Sequence, residues 1–435
     1  MGARRAGDAA MTIATPTEAA AKAQTARVAS RALGFASTAT KDAALTGIAS
    51  ALLAEQGALL ELNAAEVERA RERGIDPAFV DRMTLTPARV AAMAQTARDV
   101  AALPDPVGQM EDVRARPNGM QVGRMRVPLG VIGAVYESRP NVTVDIAALC
   151  LKSGNAVVLR SGTDAHASSQ ALARIVTREL EAAGLPAGSV QFIDSTDRAE
   201  VSALLAAREQ IDLLVPRGGA DLIRRVREEA TMPVVAGGVG VCHTYVDAEA
   251  DLDVAVDIAV NAKVRHPSVC NTLDTVLVHR RVAEATLPRL SRELAGHGVT
   301  LHADDEARRL ATVEGGALVV AVEPADYDRE WLSLDCSVRV VDSLDEALAH
   351  IAEHGSGHSE AIATDSYTAA QRFQREVDAS SVFVNVSTGF ADGGEYGLGT
   401  EFGISTQKLH ARGPMGLREL TSYKWVILGS GQTRP

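Results

Sequence analysis

Apolar positions in the first quarter of the chain recur at helical spacing. The run LTGIASALLAEQGALLELNAAEVERARERG puts Leu, Ile and Val along one helical face and stops at Gly74. LTPARVAAMAQTARDVAAL follows and predicts a helix capped by Thr86, with Pro87 at its first position and Pro104 beyond its end. From Gly130 two kinds of segment alternate. GVIGAV, AVVLR, VQFI and IDLLV are short, almost wholly apolar strands. Between them stand helices that open at Asn141, near Asp164, at DRAEVSALLAA and at GADLIRRVREEA. Continuous apolar strands separated by helices predict a parallel sheet covered on both faces. A second alternating half begins near Thr244, with helices at AVDIAVNAKV, SLDEALAHIAEHG and TAAQRFQREVD and strands at TLDTVLVH, SVRVVD and SVFVNV. Before the first of these halves, RARPNGMQVGRMRV alternates around Pro117-Asn118-Gly119 and reads as a β-hairpin.

The 435 residues exceed one compact core, so two or three domains with a cleft between them are expected. Apolar residues make up 46% and charged residues 23%, the balance of a globular protein. A net charge of −12 speaks against a nucleic-acid partner, though not against a small anionic ligand. No run of about 18 apolar residues predicts a membrane span. MGARRAGDAA lacks the apolar stretch of a secretory signal, and Met11 is an alternative start. The four cysteines are scattered, which disfavours a metal site or a disulfide framework and fits a cytoplasmic protein.

Cys150 lies in a helix and Cys336 beside a strand, both readable as core residues, while Cys242 leads into strand-like sequence. Cys270, in HPSVCNTLD, occupies a polar loop between helix and strand. That setting suits a nucleophile and equally an inert loop cysteine. No GxGxxG follows a strand, so the usual dinucleotide fingerprint is missing. Arg160, Ser161 and Gly162 close a strand just before a helix, where a cofactor anion or plain solvent could face them. Gly218 and Gly219 sit in another strand-to-helix turn, required by a phosphate or merely by tight packing. Asn141 fits a helix N-cap, and its amide could also donate to an oxyanion.

Taken together, VPLGVIGAVYESRPNVTVDIAALCLKSGNAVVLR, IDLLVPRGGADLI, GGVGVCHTYVD, NAK…PSVCNTLDT, DGGEYGLGTEFGISTQKLHARGPMGL and TSYKW resemble the gamma-glutamyl phosphate reductases of the aldehyde dehydrogenase superfamily, from about residue 17 to residue 428. The resemblance implies an α/β, aldehyde dehydrogenase-like fold with two doubly wound parallel-sheet domains. Residues 1–113 and 130–243 would form a discontinuous cofactor domain and 244–395 the catalytic domain. Residues 114–129 and 396–435 would form a small β element for homodimer or homotetramer assembly. It also implies reduction of an acyl phosphate to glutamate semialdehyde by NADPH, in proline synthesis, with an upstream glutamate kinase as partner. Cys270 would form a thioester. Asn141 and backbone N–H groups near Cys270 would hold the oxyanion. Arg160, Ser161, Gly162, Gly218 and Gly219 would bind cofactor, and Ser268, Asn271 and Arg139 substrate.

Hydrolytic aldehyde dehydrogenases carry a water-activating Glu where this chain has Val235, followed by Ala236, Gly237, Gly238 and Val239. Members that prefer NAD often have a Glu at the offset occupied here by Thr163. Where the reductases usually have Arg after Ser-Thr, this chain has Gly389, so weakened anion binding is expected unless Arg126, Arg139, Arg217 or Arg412 supplies the charge. Arg265 and His266 receive no role. A coenzyme A-acylating dehydrogenase and a catalytically impaired oligomeric relative are the alternatives.

Overall fold

The computed structural model describes residues 17–434 other than Ser138, Ala236 and Gly238. The leader and Met11 therefore lie outside the described residues. Four parallel strands form the first sheet, in the order Val190–Phe192, Ala156–Ser161, Val131–Tyr136, Leu213–Arg217. The chain enters at Val131–Tyr136, winds outward one way and returns on the other side with Leu213–Arg217. The crevice at the carboxyl ends of these two strands is thus the switch point of a doubly wound sheet. Every residue of Val131–Tyr136 and Ala156–Ser161 is buried, as an apolar run covered on both faces requires.

The second sheet has seven strands, all parallel, in the order Leu318–Ala321, Thr300–Ala303, Asp335–Val341, Leu273–His279, Cys242–Val246, Ser359–Ala363, Ser381–Val384. Ser359–Ala363 carries no apolar run, because Glu360 is buried there and paired with His243 Nδ1 at 2.9 Å. Its polar residue is satisfied only by the neighbouring strand, a condition that periodicity cannot reveal.

The third sheet is antiparallel: Met110–Ala115, Gln121–Pro128 and Thr421–Leu428. Its hairpin begins four residues before the expected alternation, because a register shift between Glu111 and Arg114 breaks the period. Of the C-terminal segment, only Thr421–Leu428 joins this sheet. Phe402, Met415, Leu417 and Leu420 pack instead into the core of the four-stranded unit.

The long N-terminal helical run is two helices, Thr38–Ala54 and Gln56–Glu72, bent by 67°. The sequence hides the bend because Leu52 and Leu59, both buried, are two turns apart and continue one stripe. The second helix ends just before Gly74, whose φ of 69° suits glycine alone. Thr86 caps Pro87–Ala102 by accepting from Arg89 N, as its position predicts. Among the described residues no single helix is long and apolar enough to cross a membrane.

The bend delivers Glu66 to the start of helix His166–Ala182, which has no side-chain cap of its own. The buried carboxylate accepts from Ala167 N at 2.7 Å and Ser168 N at 3.1 Å, and from the Ser168 hydroxyl. Glu66 thereby caps a helix 100 residues away in sequence and meets its positive end. Glu66→Ala should cost about 2–3 kcal/mol, measured by urea unfolding, because buried N–H groups lose a charged acceptor. Glu66→Gln should recover part of it, and an unchanged midpoint in the alanine variant would refute this cap.

Candidate active site

Cys270 stands in the loop between helix Leu252–Val264 and strand Leu273–His279. It therefore lies at the amino edge of the seven-stranded sheet, with Arg217, from the carboxyl edge of the four-stranded sheet, near enough to influence its thiol. The loop is held from three sides. Thr272 Oγ1 donates to His266 O at 2.6 Å and closes it on itself. Asn271 Nδ2 donates to Ala391 O at 3.0 Å, and Thr388 Oγ1 donates to Asn271 O at 2.8 Å. From the third side Gly240 meets the cysteine's own backbone: a Cβ there would fall 1.8 Å from Cys270 O. Cys242 Sγ donates to that same carbonyl at 3.2 Å, and Glu330 accepts from Gly240 N at 3.0 Å.

Cys150, Cys242 and Cys336 are buried and Cys270 is half-buried. Desolvation pushes the Cys270 thiol up to about 11; Arg217 pulls it down, while Glu330 and Glu401 push it further up. The thiol is thus protonated at neutral pH. The cation beside it is outweighed by burial and two carboxylates. Glu401 is itself raised to about 7 by burial and by Asp392, with Arg217 opposing. Its Oε2 accepts from Gly393 N at 2.8 Å.

The arginines sort by partner. Arg126 is paired with Glu111 at 2.9 Å and Arg412 with Asp378 at 2.6 Å, so neither charge is free. Among the described residues Arg139, Arg217 and Arg265 have no carboxylate partner. Arg139, Pro140 and Asn141 line a cavity of about 280 Å³ together with Arg82 and Asp145. The Arg139 guanidinium is pushed below its ordinary value by burial of its head group and by Arg217 and Arg82. Arg265 Nη2 donates to Gly389 O at 2.9 Å, and a Cβ on the buried Gly389 would lie 3.3 Å from Arg265 Nε. The place where an arginine was missed is therefore bordered by another guanidinium.

Several residues singled out in the sequence have partners within the protein. Asn141 is the first helical residue and Pro140 the cap, so Asn141 is not the N-cap; one of its two Nδ2 protons goes to Asp145 Oδ2 at 2.9 Å. Burial raises Asp145 to about 6. Asn271 Nδ2 donates to two main-chain carbonyls, those of Gly389 and Ala391. Arg160 is buried, with one Nη donating to Ser161 O and the other to Thr196 O at 2.9 Å. Ser161 Oγ meets His166 Nδ1 at 3.2 Å. Gly219 N donates to Glu137 Oε2 at 2.8 Å, so a carboxylate of the protein already fills that turn beside Gly218. Among the described residues Ser268 has no side-chain hydrogen-bond partner, and Gly162 has no side chain to make one. Val235 is a core residue, and Ala236 and Gly238 lie outside the described residues.

Sequence reasoning missed Glu137, Gly240, Glu330 and Glu401. Glu401, one of two glutamates in the glycine-rich run DGGEYGLGTEFG, was the one with an available hint, since an acidic group among backbone-exposing residues seldom serves a core.

The chain matches the aldehyde dehydrogenase family over residues 6–313. It is 52% identical over 413 residues to the gamma-glutamyl phosphate reductase of Dehalococcoides mccartyi, covering 95% of this chain and 97% of that protein. With the enzyme of the same name from Serratia proteamaculans it shares 51% over 409 residues, 94% and 98% of the two chains. The crystal structure of the Thermotoga maritima gamma-glutamyl phosphate reductase superposes with a TM-score of 0.93 at 43% identity, covering 96% of this chain and 100% of that one. By local motif, sheet order and these likenesses, the chain belongs to the aldehyde dehydrogenase family and, within it, to the gamma-glutamyl phosphate reductases.

Proposed function

We propose that this protein reduces gamma-glutamyl phosphate to glutamate 5-semialdehyde in the cytoplasm, releasing phosphate, with NADPH as reductant, as a step of proline biosynthesis. The observation that carries the reading is a half-buried cysteine in a clamped loop, faced by guanidinium groups that lack carboxylate partners. Such a site attracts an anionic acyl group and offers it a nucleophile.

Glu401, titrating near neutrality, takes the thiol proton as the substrate enters. Cys270 Sγ then forms a bond to the acyl carbon, the bond from that carbon to the phosphate oxygen breaks, and phosphate departs from a thioester. Arg139 and Arg217 neutralise the substrate's negative charge during the transfer. NADPH, when bound, supplies the hydride that takes the thioester to the aldehyde level. Sγ leaves with the return of the proton and the aldehyde is released. Val235 in place of a glutamate leaves no side chain there to activate water against the thioester.

The carboxyl edge of the four-stranded sheet has a donor set that suits NADPH. Gly162 allows close approach at the turn. Arg160 fixes the Thr196 carbonyl, and the exposed Arg198, two residues on, has no carboxylate partner among the described residues. Asp164 is occupied by Arg73 at 2.5 Å and so repels a 2′-phosphate less. Glutamate kinase supplies the labile acyl phosphate and is the functional partner. Homo-oligomers form through the three-stranded sheet, where Tyr423, Trp425 and Ile427 are 45%, 58% and 54% exposed on alternate positions of the strand Thr421–Leu428.

Four results are expected. Cys270→Ala abolishes NADPH oxidation with freshly made gamma-glutamyl phosphate and keeps NADPH binding. Alkylation of Cys270 in the wild type rises about ten-fold per pH unit from neutrality toward about 11, because thiolate accumulates only as pH climbs. Turnover in the alanine variant, a pH-independent alkylation rate, or faster reduction of an acyl-coenzyme A would each overturn this mechanism. NADPH is preferred over NADH by about ten-fold or more, and Arg198→Ala erodes that preference; equal use of both cofactors by the wild type would contradict it. Trp425→Glu shifts the light-scattering mass toward the monomer, and an unchanged mass would place the interface elsewhere.

A further inference from the structure

Arg265 takes no part in the acyl transfer proposed above. Its guanidinium rests on the Gly389 carbonyl, 2.9 Å from Nη2, and Asn271 Nδ2 donates to that same oxygen at 3.4 Å. Asn271 adjoins Cys270, so Arg265 and the nucleophile's neighbour are tied to one acceptor. The hydrogen bond to Gly389 uses a single Nη2 proton. Among the described residues no carboxylate meets the remaining donors, and Arg265 is exposed. Gly389 makes this seat possible, since a side chain there would start 3.3 Å from Arg265 Nε. A guanidinium anchored by one proton, without a carboxylate partner and sharing its acceptor with the residue next to Cys270, presents its other donors in a fork, the geometry that oxyanions accept.

We infer that Arg265 is a substrate-binding residue that holds an oxyanion of the acyl phosphate, either the phosphoryl group or the amino-acid carboxylate. This rests on the reaction proposed above for its substrate, but its test does not depend on turnover. Inorganic phosphate and L-glutamate, titrated separately, are the probes, and each is scored by how well it protects Cys270 from iodoacetamide. Arg265→Gln keeps a donor for Gly389 O and removes the charge. The concentration giving half-protection should rise about ten-fold or more in the glutamine variant for one of the two probes. A shift for phosphate assigns Arg265 to the phosphoryl group, and a shift for glutamate assigns it to the carboxylate. Arg265→Lys should recover part of the loss. The unprotected alkylation rate should stay at the wild-type value, which a collapsed loop would not allow. Unchanged half-protection by both probes, or an altered unprotected rate in both variants, overturns the assignment. If protection shifts as expected while the wild type fails to turn over gamma-glutamyl phosphate, the reaction falls and the anion site stands.

Discussion

The site depends on one backbone contact, the seating of the Cys270 carbonyl against Gly240. No side chain fits between them, because a Cβ at Gly240 would occupy the carbonyl oxygen's own space. The approach joins the segment that leaves the four-stranded unit to the loop that precedes the central strand of the seven-stranded one. Cys242 Sγ and Glu330 complete it, one on the carbonyl and one on the glycine N–H. With the carbonyl held there and Asn271 tied to Ala391, main-chain packing fixes the place from which the Cys270 side chain starts.

That rigidity governs the electrostatics. A thiol held in a packed seam is desolvated, and desolvation outweighs the nearby Arg217, so the resting group is neutral. A neutral thiol beside unpaired arginines resists adventitious oxidation and alkylation and still presents positive charge to an incoming anion. Burial also brings Glu401 to about 7, near the range where a carboxyl exchanges protons usefully. Two opposite consequences of the same burial thus stand side by side, a thiol harder to ionise and a carboxylate readier to accept a proton.

Elsewhere the protein satisfies its polar groups across long sequence distances. Glu66 caps a helix 100 residues on, and Glu360 pairs with His243 on the neighbouring strand. Asn155 accepts from Gly130 N at 2.7 Å and donates to Leu420 O at 2.9 Å, fastening the C-terminal segment to the first sheet. Each arrangement places a strongly polar residue where apolar patterning predicts none.

Local chemistry was legible in the sequence. The buried strand Val131–Tyr136, the Thr86 cap and the stop at Gly74 follow from short-range sterics and from apolar runs that leave a chain few other ways to bury them. The family was legible too, because long motifs such as HARGPMGL survive as contiguous strings. The choice of Cys270 needed only its polar loop and that likeness. The bend between Ala54 and Gln56 was not legible, since the apolar stripe runs through it. Nor was the state of the polar groups: Arg160 closes on Thr196, Asn141 on Asp145, Gly219 on Glu137 and Arg265 on Gly389. Sequence names the donors, but only the tertiary structure decides which have already met an acceptor, because a hydrogen bond is settled within about 3 Å of space and not by separation along the chain.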